Sequence, residues 1–511
     1  MKNIPLRDIM LRASIYIIML LFAARVLGYL FHMVFAKYFT QQVYGEFIYL
    51  WSAALFIAGL MPNIAAAVER YVAYHRGSED KEKVKKVVGS GMVLSITISF
   101  AMALLVASLY SFGILPKIND TLSILFIILV AFFVLTSNLL SAVITGHRRP
   151  EVSSAFNLLH TLLRLFAIVV ASYAWVSLSG VIWLVLAAFL IFVISILIYV
   201  AKNYGVGSGY DRQVGGELLK FGAFTVFHET ANNILSWGNI FLINIFLGAA
   251  VVAVYNVAWL ASTASLVLFL SVLQIFSPVV TELFGAGKKK QAEYLSSYLL
   301  ESFFLLFLPV FVLIVLFSEE LLVLFISTTY SSGAAPLRIL ALGAFFFGVS
   351  RLFMVLIASS GKPQVNAKNI GFVAILSILL NLILIPIYGM VGAAIATLAS
   401  SLCLYILSHG YVHKNIMQLK FISKRSAKLI IASAAAFALT YSLGLYFEVP
   451  MTLRISSLAI FFLAVYSLVV LFSKSLRRED VEMFCTILEK TGAPKKLTDS
   501  ISRFLGFAVG Y

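Results

Sequence analysis

Residues 381–397 read Asn-Leu-Ile-Leu-Ile-Pro-Ile-Tyr-Gly-Met-Val-Gly-Ala-Ala-Ile-Ala-Thr, from Asn381 through Pro386 and Gly389 to Thr397. Pro386 and Gly389 stand between two apolar runs, 370–387 and 390–412, and mark a tight turn between them. Gly392, Ala393, Ala394 and Ala396 give the second run a small face that lets helices approach closely. A membrane crossing needs about 20 apolar residues. The stretch therefore reads as a transmembrane hairpin, and the question is how many more the chain holds.

Working outward, further apolar runs lie at 13–36, 44–68, 87–112, 121–145, 152–174, 176–201, 221–247, 250–281, 295–317, 335–359, 428–447 and 453–473, which makes fourteen expected spans. None alternates with a two-residue period, so a β-barrel is disfavoured. The expectation is an all-α polytopic membrane protein. Composition agrees: 61% of the 511 residues are hydrophobic and 12% charged, against about 45–50% and 25% in soluble domains. Mean hydropathy is +1.00. Such a chain is neither a nucleic-acid-binding, a disulfide-rich secreted nor a disordered protein. Cys403 and Cys485 have no metal-ligand spacing and read as inert thiols. Lys2, Arg7 and Arg12 precede a run too long for a signal peptide and without a clear cleavage site, so it reads as a retained first helix.

The net charge of +16 is a topology signal. With the N-terminus inside, 31 of the 38 Lys and Arg fall in inner segments, and only Lys37, Lys117, Arg338 and Arg454 lie at or near outer ends. That asymmetry predicts N-in, C-in topology with an even number of spans. The second run opens with Val43-Tyr44-Gly45-Glu46-Phe47 and the eighth with Val251-Val252-Ala253-Val254-Tyr255, each pair ending in a lysine-rich inner loop. Gly146-His147-Arg148-Arg149-Pro150 and Gly361-Lys362-Pro363 then match at the same topological place. A period of six helices predicts parallel repeats: an N-terminal lobe at 1–212, a second lobe at 213–428, two additional spans at 429–473 and a cytoplasmic tail at 474–511. Gly205-Val206-Gly207-Ser208-Gly209 follows a membrane helix and lacks a P-loop lysine, so it reads as a hinge between the lobes. In the tail, Val481, Phe484, Cys485 and Leu488 have the spacing of an amphipathic helix.

The stretch 381–397 resembles the eleventh-to-twelfth-helix signature of polysaccharide transporters in the multidrug/oligosaccharidyl-lipid/polysaccharide (MOP) exporter superfamily. Residues 339–362, with Ala341-Leu342-Gly343-Ala344-Phe345 and Ser350-Arg351, resemble the tenth helix and following loop of the same group. Tyr44-Gly45 and Val254-Tyr255-Asn256-Val257-Ala258 extend the likeness toward the first helices. The resemblance implies a twelve-helix core in two lobes around a central cavity, often with two extra helices. It also implies a flippase that carries a lipid-linked oligosaccharide or polysaccharide precursor to the outer leaflet by alternating access, in the plasma membrane of a prokaryote. Lipid II flippases of the superfamily carry an Arg-Asp pair after the first-helix glycine; here Gly28 is followed by Tyr29-Leu30-Phe31-His32, which makes a peptidoglycan precursor less expected than another surface glycan.

Charges deep in spans cost about 2.5–3.5 kcal/mol on insertion scales, so each needs a reason. Arg25 and Arg164 lie about 18 Å from the inner ends of their runs and Glu229 about 12 Å up the seventh, at 1.5 Å per residue. Arg25, Arg164 and Arg351 are read as lining a cationic substrate cavity, because planar guanidinium matches phosphate oxygens in pairs. Asn138, His160 and Asn244 join them as donors to sugar, with Asn157, Asn232 and Asn233 as weaker candidates. Glu229 is the expected coupling site for a proton or sodium ion; a merely structural pair of Glu229 with Arg25 is the alternative. His409 and His413 have helical metal spacing but no nearby carboxylate. The expected partners are the lipid-linked glycan, membrane lipids and a coupling cation, with a monomeric protein, no cofactor and no nucleic acid. The rival functions are a multidrug/cation antiporter, which would favour an acidic aromatic cavity, and a glycan-transferring enzyme. The longest outer segment, 318–334, carries only Glu319 and Glu320, which argues against the enzyme.

Overall fold

The computed structural model describes residues 6–112, 120–174, 176–205, 207, 209–446, 449–477 and 479–481. Among them there is no β-strand. Helices α1 (Leu6–Tyr38), α2 (Gln41–Gly59), α3 (Ile64–Gly77), α4 (Lys81–Ser111), α5 (Thr121–Gly146), α6 (Pro150–Tyr173) and α7 (Leu178–Tyr204) form one group, in which α2 packs more on α8 and α9 than on its own group. The second group is α8 (Arg212–Leu247), α9 (Ala249–Ala264), α10 (Leu266–Gly285), α11 (Lys289–Leu316), α12 (Ser318–Phe325), α13 (Ala334–Ser359), α14 (Pro363–Asn415), α15 (Lys424–Gly444) and α16 (Met451–Phe472), with a short 3-10 turn at Thr328–Gly333. The end of the tail, including Cys485 and the expected amphipathic helix, lies outside the described residues.

Eleven described helices are long and apolar enough to cross a membrane, or twelve when α2 and α3 count as one bent span. The chain is a multi-pass membrane protein, and the shortfall from fourteen has local causes. The run 44–68 is not one helix. Pro62 offers no N–H to the preceding turn, Asn63 Oδ1 accepts the Ala66 N–H at 3.0 Å to start α3, and the axis bends by 51°. The run 250–281 parts at Ser265 into the short α9 and α10, of which α10 counts as a span, so this break costs none. The hairpin at 370–412 is one 53-residue helical stretch except at Gly389, whose φ of 60° and ψ of −139° form the turn. Only a residue without a Cβ takes such a conformation cheaply. Helix α8, with Asn232, Asn233, Asn239 and Asn244 along it, falls below the apolarity of a plain span.

The expected inner loop 202–220 is mostly helical. Tyr204 ends α7, the chain passes through left-handed backbone at Gly205, Gly207 and Gly209, and Asp211 caps α8 by accepting the Gln213 and Val214 N–H groups at 3.0 and 3.1 Å. The Asp211 N–H donates to Ser90 Oγ of α4 at 2.9 Å, which fastens the connection to the first helix group.

The two groups meet where α2 crosses α9, α2, α3 and α4 cross α8, and α1 crosses α9 and α10. At the first crossing a Cβ on Gly45 would stand 1.8 Å from the Ala249 carbonyl oxygen, so the backbones touch and glycine is required. Asn256 Nδ2 donates to the Tyr44 hydroxyl across the same crossing at 2.7 Å. The stretches matched by the six-helix repeat, around Tyr44 and Tyr255, are thus neighbours. At the other side of the second group, buried Arg425 of α15 pairs with Glu301 of α11 and with Asp480, and donates from Nε to the Ser475 carbonyl at 2.7 Å. Arg477 also pairs with Glu301. The charged knot binds the last two helices and the start of the tail to α11.

Candidate functional site

Arg164 of α6 lies between two aromatic rings, with Cζ 4.5 Å from the Phe31 centroid and 4.2 Å from that of Trp51. No ion pair reaches it among the described residues, and its Nε is buried without a hydrogen bond. One turn back, His160 stacks on Phe192 at 4.6 Å and meets the Phe189 edge at 4.3 Å. His160 helps to line a cavity of about 360 Å³ with Trp51, Ser137, Asn138, Ser154 and Asn157. Hydroxyls, amides and flat aromatic walls converge there, beside a cation with no protein counter-charge. Phe31 and His32 have defined work: Phe31 lies against Arg164, and His32 Nδ1 lies 3.1 Å from the Tyr44 hydroxyl.

Arg351 of α13 lines a different cavity, of about 110 Å³, inside the second group. Asn232, Asn239, Ser262, Thr397 and Ser400 share its wall. The floor is a polar knot: Asn239 Nδ2 donates to Thr397 Oγ1 at 2.7 Å and to the Tyr255 hydroxyl at 3.1 Å, and Asn381 Nδ2 donates to Asn239 Oδ1 at 2.8 Å. Arg25 is exposed on α1 and lines neither cavity. The three arginines are therefore not gathered in one pocket of this conformation. Nearby, Tyr29, His32, Met33, Val257, Leu260 and Phe325 line an apolar cavity of about 330 Å³ between α1 and α9–α12.

Glu229 lines a fourth cavity, which it shares with Asn138 and Asn233 at the α2–α3 break. No arginine or lysine pairs with it among the described residues, and Arg25 is not its partner. Asn244 is 3% exposed and pairs with the Tyr49 hydroxyl, so it holds α8 to α2 and lines none of these cavities. His409 Nε2 lies 3.2 Å from the Leu419 carbonyl, and no metal-ligating group of three forms among the described residues.

Residues 10–284 match the polysaccharide biosynthesis protein family, and residues 225–387 match the MatE family. The chain belongs to the polysaccharide biosynthesis protein family. One relative is the probable low-salt glycan biosynthesis flippase Agl15 of Haloferax volcanii, 25% identical over 204 residues, which are 40% of this chain and 43% of that one. Another is the uncharacterized membrane protein MJ1068 of Methanocaldococcus jannaschii, 23% identical over 223 residues, 43% of this chain and 44% of that one. The chain thus matches less than half the length of these curated relatives. Among solved structures, lipid II flippase MurJ in an inward closed conformation superposes with a TM-score of 0.73 at 14% identity, covering 90% of this chain and 98% of MurJ. An inward-facing multidrug resistance MATE family transporter gives 0.64 at 14% identity, covering 82% and 99%. At such identities the likeness is one of fold, that of the MOP superfamily.

Within that fold, intramembrane charges and amides in the sequence pointed to Arg164, Arg351, His160, Asn138 and Glu229. Trp51, Phe189 and Phe192 as cavity walls, and Asn239 and Thr397 as members of a knot, were not signalled: aromatic and small polar residues are common in every span.

Proposed function

We propose that the protein is a flippase, not an enzyme, that moves a lipid-linked oligosaccharide from the cytoplasmic to the outer leaflet of a prokaryotic plasma membrane by alternating access. The termini are cytoplasmic, and two lobes, 1–212 and 213–428, rock about the α2–α9 crossing. The observation that carries this reading is Arg164, a cation without a counter-charge among the described residues, beside an aromatic, amide-lined cavity. A guanidinium held flat by two rings presents its edge to phosphate oxygens, and hydroxyls and amides satisfy sugar hydroxyls that hydrocarbon cannot. Arg351 and Arg25 supply further positive charge along the path. The apolar cavity between α1 and α9–α12 suits the lipid chain while the glycan stays among polar groups. A lipid-linked glycan fits these walls better than a lipophilic cation, the substrate of the rival antiporter, because among the described residues neither the cavity that Arg351 lines nor the one near Arg164 has a carboxylate in its wall.

Trp51, which Arg164 faces, lines the cavity near that arginine and Trp259 the one that holds Arg351, so binding there changes indole fluorescence. Titration of the purified protein with a pyrophosphate-linked lipid oligosaccharide is expected to give a saturable change that Arg164→Ala weakens. A saturable response to tetraphenylphosphonium with none to the glycolipid would overturn the reading in favour of the antiporter.

A further inference from the structure

The cavity at the α2–α3 break, about 260 Å³, is unlike the other two polar cavities because its charge is negative. Helix α2 ends at Gly59, and the Leu60 and Met61 N–H groups turn back to Ile57 and Ala58 at 3.1 and 3.2 Å. Pro62 has no N–H to give. The carbonyls of Gly59, Leu60 and Met61 therefore accept no backbone hydrogen bond among the described residues. A helix C-terminus also carries a partial negative charge of about half an electron. Facing it from α8 is Glu229, the one ionisable side chain in the lining. Asn233, one turn on, donates from Nδ2 to the Glu229 carbonyl at 3.0 Å, and a Cβ on Gly59 would fall 1.8 Å from that nitrogen, so its amide lies directly on the end of α2. Asn138 and Ser95 complete the polar wall.

Every donor here is a hard oxygen, with one carboxylate and no imidazole or thiolate, which suits an alkali cation better than a transition metal. Divalent calcium sites gather more carboxylate charge than this. A water's share of volume is about 30 Å³, so the cavity holds an ion with several waters. Unwound carbonyls and half-helix C-terminal ends are the usual ligands of coupling ions in discontinuous transporter helices.

We propose that the α2–α3 break is a binding site for a hydrated sodium ion, held by Glu229, the amide oxygens of Asn138 and Asn233, and the carbonyls of Gly59 and Met61. Glu229 belongs to the second helix group and the other ligands, Asn233 apart, to the first. A bound ion therefore bridges the groups and favours the arrangement in which α3 touches α8.

The test is saturable binding of radioactive sodium to the purified full chain in lipid nanodiscs, without any glycan, so that its failure and that of the flippase reading are separate results. The wild type is expected to bind sodium, and Glu229→Gln to raise the half-saturating concentration about tenfold or more, because ligand charge sets affinity in such sites. An unchanged melting temperature of Glu229→Gln in N-methylglucamine chloride shows that its fold is kept. If that variant does not fold, Asn138→Ala, whose side chain is exposed to the cavity, is expected to weaken sodium binding by a smaller factor. Wild-type-like sodium binding in both variants, absence of saturable binding in the wild type, or saturation by potassium but not sodium each overturns the proposal.

Discussion

Arg164 shows how a charge is kept within an apolar span. Stacking on Phe31 and Trp51 is worth about 2 kcal/mol or more when desolvated, which offsets most of the roughly 2.5–3.5 kcal/mol cost of inserting a cation. No carboxylate is needed, and the guanidinium edge remains available. Arg164→Lys keeps the charge but loses the planar stack and the paired hydrogen bonds. It is expected to reduce glycolipid affinity about tenfold, one good charge-assisted contact being worth at least 1.4 kcal/mol, with insertion unchanged; the tryptophan titration reads it. The charge itself was legible in the sequence, since an arginine amid leucine and phenylalanine is conspicuous. Its stacking partners were not, because α1, α2 and α6 bring together residues 31, 51 and 164 only on folding. Asn244 went the other way: it looks like a cavity donor from its place in α8 but is used up by Tyr49.

Among the elements, apolar length made most helices readable while their breaks escaped notice, because hydropathy averages over Pro62 and Ser265 and a cap acts at single residues. The α2–α9 contact depends on the absence of one Cβ. Gly45→Val forces the backbones apart there, so in an Asn256→Cys background the thiol is expected to react faster with a water-soluble maleimide than with Gly45 present; equal rates would show that the crossing tolerates the side chain. The knot around Arg425 was invisible to sequence because its members are remote, Glu301 and Arg425 being 124 residues apart. Breaking such a buried pair leaves uncompensated charge and costs about 3–5 kcal/mol. Arg425→Ala is therefore expected to loosen α15, α16 and the tail, seen as faster proteolysis after residue 423 with the core retained. The cap at Asp211 gives a pH dependence. The Val214 N–H bond, with Gln213 and Lys86, holds its carboxyl below the ordinary Asp value of 3.8. Its folded-state pKa is depressed, so the stabilisation is present above that ordinary value and is lost as pH falls through the folded one. Asp211→Ala should lower thermal stability at neutral pH and make no difference in strong acid, as melting curves at the two pH values would show.

Across the whole molecule, two helix groups meet through α2–α9 contacts, with one polar cavity inside each group and a third, lined by Glu229, between them. In the sequence, the basic inner segments and the six-helix period are what suggest a two-part plan, since insertion asymmetry and repetition are written along the chain. The division of cationic and anionic cavities was not, because Arg164, Arg351 and Glu229 look alike in a hydropathy trace and differ only in what surrounds them. The function proposed for this arrangement is to carry a glycan across while its lipid remains in the membrane. The decisive measurement is transbilayer movement of a fluorescent pyrophosphate-linked lipid oligosaccharide in vesicles holding the purified protein, read by a membrane-impermeant quencher. The wild type should expose nearly all of the probe to the quencher, and the Arg164→Ala, Arg351→Ala double variant, inserted to the same level, only the outer-leaflet half. Equal quenching in vesicles with the wild type and in protein-free vesicles would contradict the account.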